Sequence, residues 1–310
     1  MDMSWRVPAL FNNDRAALRL TRLLRPYLCR NLFDAVYGAP MTAWSGGRSS
    51  LVSERLEEEP LRRYFEAYRD EGIRCSLTLT RMNPNKEDFS DPYCNLLLDM
   101  LDEYDGEAIV FNDGLAAYIR QSHPGIPLVA SNIKPATDFV KGWPGCSDEY
   151  EYYMRLLEDY DRIVIRNEAA LNGDMRERLR DIADRCEIIV NPRCVPDCPR
   201  CLEHYQNIEK AIEDINHKAG CYYSNDDQRV YSMALDHGQI REFATEGFTH
   251  YKIEGRNVPS GIFVKYCMNF ILEKERKAEI QNALDNRDVI ELVMLLTKNE
   301  DRETRVQIPQ

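Results

Sequence analysis

Three cysteines stand at C-x3-C-x2-C spacing in Asn191-Pro192-Arg193-Cys194-Val195-Pro196-Asp197-Cys198-Pro199-Arg200-Cys201, and a fourth, Cys221, follows in Lys218-Ala219-Gly220-Cys221. Soft thiolates on short spacers pre-assemble a site for a soft or borderline metal. A [4Fe–4S] cluster takes cysteine ligands from irregular loops. Zinc takes four thiolate or imidazole ligands in a tetrahedron, here Cys194, Cys198 and Cys201 with Cys221 or His204. Paired C-x2-C knuckles, the more usual zinc arrangement, are absent, so a [4Fe–4S] cluster is the expected cofactor and zinc (Zn) its alternative. A third reading leaves the thiols free or redox-active. Three protein ligands would leave one iron open to substrate, so Cys221, ligand or bystander, separates a closed cofactor from a reactive one.

The second chemical stretch is Glu246-Gly247-Phe248-Thr249-His250-Tyr251-Lys252-Ile253-Glu254-Gly255-Arg256. Lys252, Glu254 and Arg256 alternate, so in an extended segment they point the same way. Charges at a strand end are costly unless paired or solvated. They either form an ion-pair network that closes the last strand or hold an anionic substrate. In the second case Lys252 and Arg256 grip the anion, and Glu254 is a general base or orients an arginine. His204 and His250 are candidates for proton transfer.

These residues need a scaffold, and the pattern supplies one. Short, nearly continuous apolar strands are expected at residues 33–38, 73–80, 107–112, 126–132, 162–167, 186–191 and 249–253, with an eighth in the first ten residues or around 221–237. Helical patterns separate them at 14–28, 54–68, 93–104, 114–120 (with Asp113 as N-cap), 149–160, 175–185, 202–218 and 239–246. Residues 42–50, with Gly46-Gly47, 82–92 and 134–147 read as loops, and 260–278 and 289–296 as outer helices. Alternation of this kind predicts an α/β fold with a parallel sheet covered by helices. No G-x-G-x-x-G follows a strand, so a TIM-like (β/α)8 barrel, closed or slightly irregular, with extra C-terminal helices fits better than a dinucleotide-binding sheet. One barrel-like domain is expected over residues 1–280, carrying the cysteine loop 191–221, with a C-terminal helix and tail over 281–310. Four strands end in asparagine, at Asn112, Asn132, Asn167 and Asn191. These are turn residues, or amides lining the C-terminal mouth where barrel enzymes gather their reactive groups.

The C-x3-C-x2-C spacing also resembles the cluster motif of radical S-adenosylmethionine enzymes. There the motif follows the first strand of a partial barrel. Here it follows a late strand, and Arg200 stands where an aromatic residue is usual. The Lys252-Ile253-Glu254-Gly255-Arg256 run, after a Gly-Phe turn and before a helix, resembles the peptidase U32 family. The order of barrel, late cysteines and charged motif supports it. That family includes partners in oxygen-independent quinone hydroxylation and factors for hydroxylation of tRNA or ribosomal RNA. Several members hold a [4Fe–4S] cluster through four cysteines. The resemblance implies Cys194, Cys198, Cys201 and Cys221 as ligands, with Glu254 and Arg256 facing the same cavity. The family's His-Gly-Ala-x-Cys signature is not reproduced, since His237-Gly238 has no cysteine in register.

The bulk numbers limit the partners. The formal net charge is −12 in 310 residues, so an extended nucleic-acid-binding surface is not expected. No apolar run approaches a membrane span and neither end reads as a signal peptide, so a cytoplasmic protein is expected. The expected function is an iron–sulfur-cluster enzyme acting on a small-molecule or RNA-linked substrate by hydroxylation, sulfur removal or related redox or Lewis-acid chemistry, with a protein partner in a complex. The alternatives are a non-catalytic scaffold or binding subunit with a structural cluster or zinc, and a metal-dependent peptidase. For the peptidase, H-E-x-x-H is missing.

Overall fold

The alternation of strand and helix folds as a (β/α)8 barrel. The computed structural model describes residues 3–48, 55–210, 214, 221–223, 227–256 and 258–297. The strands are β1 (Ser4–Val7), β2 (Ala35–Gly38), β3 (Arg74–Leu79), β4 (Glu107–Val110), β5 (Leu128–Ala130), β6 (Arg162–Val164), β7 (Cys186–Ile189) and β8 (His250–Lys252). All pair in parallel in sequence order, and β1 pairs with β8 to close the barrel. The eighth strand is β1, at the first of the two expected places. Four residues with a charged centre give it too little pattern to read alone.

The helices are α1 (Asp14–Leu28), α2 (Glu58–Arg69), α3 (Pro92–Glu103), α4 (Asp113–Ser122), α5 (Ile133–Val140), α6 (Glu149–Asp159), α7 (Asn167–Leu171), α8 (Gly173–Leu179), α9 (Cys201–Glu209), α10 (His237–Thr245), α11 (Ser260–Phe270), α12 (Lys274–Ala283) and α13 (Asn286–Thr297). Their apolar faces and the outer faces of the strands make the main core, which includes Leu20, Phe65, Leu98, Tyr153 and Phe263. The outer helix α13 packs on α1 and α11.

Several expected boundaries move. Residues 134–147 were expected as loop, yet α5 covers their first half and buries Ile133, Pro135 and Thr137. Proline is tolerated in a first turn, where its missing N–H has no helical acceptor. The helix at 175–185 is α8 followed by a 3-10 turn over 180–185. The helix at 202–218 is α9 as far as Glu209, and residues 211–213 and 215–220 lie outside the described residues. The run at 260–278 is two helices, α11 and α12. The N-cap of α4 is Asn112, one residue before the expected Asp113, and its side chain accepts from the Leu115 N–H at 3.0 Å.

The barrel interior has two kinds of layer. Tyr37, Ile109, Val129, Val164 and Ile189 form an apolar layer. Beside it is an ionic one. Arg6 pairs with both Glu107 and Glu187. Arg162 lies 3.5 Å from Glu107 and 3.8 Å from Glu187, and Lys252 lies 3.4 Å from Glu187. Ser76 donates to Glu107 at 2.6 Å. Burial pushes the Glu107 carboxyl up, but Arg6, then Arg162 and the Ser76 hydroxyl, outweigh it and hold its pKa at about 2. Charges can stay inside a barrel only when partners repay their desolvation in this way. Among the described residues no helix is long and apolar enough to cross a membrane.

Candidate functional site at the barrel mouth

A cavity of about 150 Å³ opens where β5 to β8 end. Its wall includes Asn132, Arg166, Asn167, Glu168, Cys194, Cys198, Cys201, His204, Tyr205, Cys221 and Glu254. Two asparagines hold the strand ends together. Asn167 donates to the Ile189 carbonyl at 2.6 Å. Asn191 donates to the Glu254 carbonyl at 3.0 Å and accepts from the Glu254 N–H at 2.6 Å. That reciprocal clamp fixes the start of the cysteine loop against the end of β8. Asn132 and Asn167 line the cavity; Asn112 serves as a helix cap.

Arg166, just past β6, anchors the cysteine loop. It is buried, pairs with Asp197 at the loop's turn, and lies 3.4 Å from Glu168 and 3.3 Å from Glu149. Its guanidinium stacks 3.8 Å from the centre of the Phe139 ring. Burial pulls its pKa down, but Glu168 and Glu149 reverse the direction and raise it. The Asp197 N–H donates to Glu168 at 2.7 Å, and Asp197 holds a left-handed φ of 48°.

Across the mouth two further arginines meet. Arg256 donates to the Arg48 carbonyl, and at 2.9 Å to the Thr78 hydroxyl. The Arg48 guanidinium lies 5.0 Å from the centre of the Tyr205 ring. Burial and then the charge of Arg48 bring the Arg256 pKa down to about 9. Among the described residues neither guanidinium has a carboxylate within ion-pair distance; Glu254 acts on Arg256 from farther off. Arg48 is placed by the Gly46-Gly47 turn. Both glycines have positive φ, and a Cβ on Gly47 would stand 2.1 Å from the Ile208 carbonyl oxygen. The close approach expected of this loop is therefore to the backbone of α9. Glu209 fixes α9 from its other side, accepting from the Met82 N–H at 2.7 Å.

The candidate residues separate into two groups. Glu254, His204 and the four cysteines reach the cavity. Lys252 turns into the barrel, 3.4 Å from Glu187 and 4.3 Å from the centre of the Tyr37 ring. Burial, then Arg6 and Arg256, push its pKa well down. His250 sits lower still, and burial followed by Arg162 and Arg6 lowers its pKa to about 4.

The expected cofactor is corrected. Cys194, Cys198, Cys201 and Cys221 border one cavity, and each of the other three thiols acts electrostatically on Cys194. Yet among the described residues no three His, Cys, Asp or Glu side chains converge to hold a metal ion, so neither a [4Fe–4S] cluster nor zinc has its ligand set. Cys201 is buried in the first turn of α9, whereas Cys221 is exposed. Burial pushes the Cys201 thiol up to about 12.

Arg48 and Arg166 were not among the sequence candidates. The signal for Arg166 was a cation closing the apolar run Ile163-Val164-Ile165. For Arg48 it was only the double glycine before it.

No family model matches this chain, and no curated protein does. Among solved structures the chain is similar to that of the U32 peptidase Mk0906, with 11% identity and a TM-score of 0.47 over 82% of this chain and 94% of that one. The likeness is one of fold.

Proposed function

We propose that this protein is an enzyme whose substrate, a small molecule or a group carried on RNA, presents an anionic moiety to Arg48 and Arg256 at the C-terminal mouth of the barrel. One observation carries the reading: the partly buried guanidinium groups of Arg48 and Arg256 act on each other beside Tyr205, with no carboxylate in ion-pair range among the described residues. Like charges so placed repel and are poorly solvated, and an anion relieves both costs. Charge-assisted contacts from planar guanidinium groups suit carboxylate or phosphate.

Glu254 stands on the cavity wall with its backbone locked by Asn191, and it is the proposed acid–base group. Tyr205 and His204 give the site an aromatic side. The thiols of the cysteine loop are the redox-capable groups that the wall itself supplies. A second reading is a binding subunit without turnover. The protonated state that burial imposes on Cys194 and Cys201 favours it, because thiols held protonated are poor nucleophiles.

The test is calorimetric titration with a panel of small phosphates and carboxylates. At least one should bind, and R48M and R256M should each weaken it by roughly 10- to 100-fold, the loss of one charge-assisted contact. Equal affinity in both variants sinks the proposal. E254Q should keep anion binding and lose turnover of a bound substrate; turnover that persists in E254Q removes Glu254 as the acid–base group, whereas binding with no turnover by the wild type favours the second reading.

A further inference from the structure

We propose that the ligand of this mouth is a small phosphomonoester, its terminal phosphate dianion held by Arg48 and Arg256 and its short carbon end reaching past Tyr205 into the cavity. The inference rests on the anion site proposed above and decides which anion that site takes.

The two parts of the mouth lie side by side. Arg48 follows β2, Thr78 lies in β3 and Arg256 follows β8, and β1 pairs with both β2 and β8. The cavity lies on the other side, where β5 to β8 end. Tyr205 belongs to both. Its ring lies against the Arg48 guanidinium, and it lines the cavity. Glu254, two residues before Arg256, stands on the same wall. A ligand that fills both parts therefore carries its charge at one end and its carbon skeleton at the other. The cavity, about 150 Å³, is well below the roughly 300 Å³ at which sites for drug-sized ligands begin, so that skeleton is short.

The donors suit a phosphate better than a carboxylate. Arg256 spends its Nη1 on the Arg48 carbonyl and the Thr78 hydroxyl. Among the described residues its Nε and Nη2 donate to no protein acceptor, and neither does the Arg48 guanidinium. The buried Thr78 hydroxyl accepts from Arg256, which leaves its own proton to donate. A carboxylate or a phosphodiester presents two oxygens and a single negative charge to these groups. A phosphomonoester presents three oxygens and, above a second pKa of about 6, close to two charges. Two adjacent guanidinium groups with no ion-paired carboxylate are balanced by the dianion and left cationic by the monoanion. Glu254 does not change this, because it acts on Arg256 from beyond ion-pair distance.

The experiment is calorimetric titration of the full chain near pH 8 with glycerol 3-phosphate, its methyl phosphodiester, glycerate and inorganic phosphate. Glycerol 3-phosphate should bind roughly tenfold or more tighter than the diester or glycerate, the worth of one further charge-assisted contact. It should also bind tighter than inorganic phosphate, which leaves the cavity beside Tyr205 unfilled. Lowering the pH from about 8 to about 5 should weaken the monoester roughly tenfold, as a phosphate with a pKa of about 6 gains a proton, and should leave the diester within about twofold. R48M and R256M should each bring the monoester down to the level of the diester. R256K keeps the charge without the planar fork, so it should retain more of the preference than R256M. A diester or glycerate that binds as tightly as glycerol 3-phosphate overturns the proposal and leaves the anion site standing. A 5′-phosphorylated oligonucleotide that binds tighter than glycerol 3-phosphate overturns the small ligand. Failure of every anion to bind removes the anion site and this proposal together.

Discussion

Replacing Glu107 by glutamine removes one charge from the centre of the barrel and leaves the volume unchanged. Glu107 is fully buried, paired with Arg6, 3.5 Å from Arg162, and accepts from Ser76. Its pKa is about 2 against an ordinary 4.5, despite burial that acts the other way. At roughly 1.4 kcal/mol per pKa unit, that depression contributes about 3 kcal/mol to folding near neutral pH. The sign follows from the direction. A carboxyl with a lowered folded pKa stabilises the fold above its unfolded value and stops doing so as pH falls through the folded one. The contribution is therefore complete above 4.5 and is lost toward 2. E107Q should lose about 3 kcal/mol in urea unfolding at neutral pH, comparable to breaking a buried ion pair. Its stability should also depend less on pH over that acid interval. Adding R162M should restore part of the loss by removing a cation left without its partner. An E107Q variant with the wild-type urea midpoint at neutral pH would refute the view that this carboxylate is a net stabilising member of the ionic layer.

Anion binding at the mouth should weaken as pH rises through about 9, where Arg256 loses its proton, and R256M should show no such step when the same titration is run. G47A should cost at least about 2 kcal/mol, because its Cβ meets the Ile208 carbonyl at a positive φ, and limited proteolysis should then find α9 loosened. His250, lowered from 6.5 to about 4, favours the fold while neutral, so stability should fall as pH drops through that interval, and H250N should flatten that part of the curve. K252M should keep anion affinity within about twofold of wild type, since Lys252 is already paired with Glu187 inside the barrel; a loss equal to that of R256M would place Lys252 in the binding site.

The barrel was legible in the sequence because its strands are short apolar runs that alternate with amphipathic helices at regular intervals. The asparagines that end four strands were legible as turn residues, and Asn191 and Asn167 do more by tying neighbouring strand ends. The Lys252, Glu254, Arg256 alternation was legible only in part. Residues two apart share a face only while the chain stays extended, and β8 ends at Lys252. Gly255 then takes a φ of 129°, a turn open to glycine alone, yet Arg256 still acts on Tyr37, whose ring centre lies 4.3 Å from Lys252. The cysteine spacing misled. Spacing along a loop states which thiols can approach one another, whereas ligation needs at least three groups to meet at a point, and among the described residues no three do.

The two arginine-containing layers of the barrel divide the work of carrying charge. In the interior, Arg6 and Arg162 face Glu107 and Glu187, and Lys252 is driven toward neutrality by burial and by Arg6. That layer is thus close to balanced and has no vacancy for an anion. At the mouth, Arg48 and Arg256 face no such partner among the described residues, and Glu254 is too distant to pair with either. The unbalanced charge therefore lies beside Tyr205 of the cavity wall, in a chain whose net charge is −12. A local cationic site on an acidic protein selects small or singly presented anions over long polyanions, because the surrounding surface repels a ligand that extends beyond the mouth.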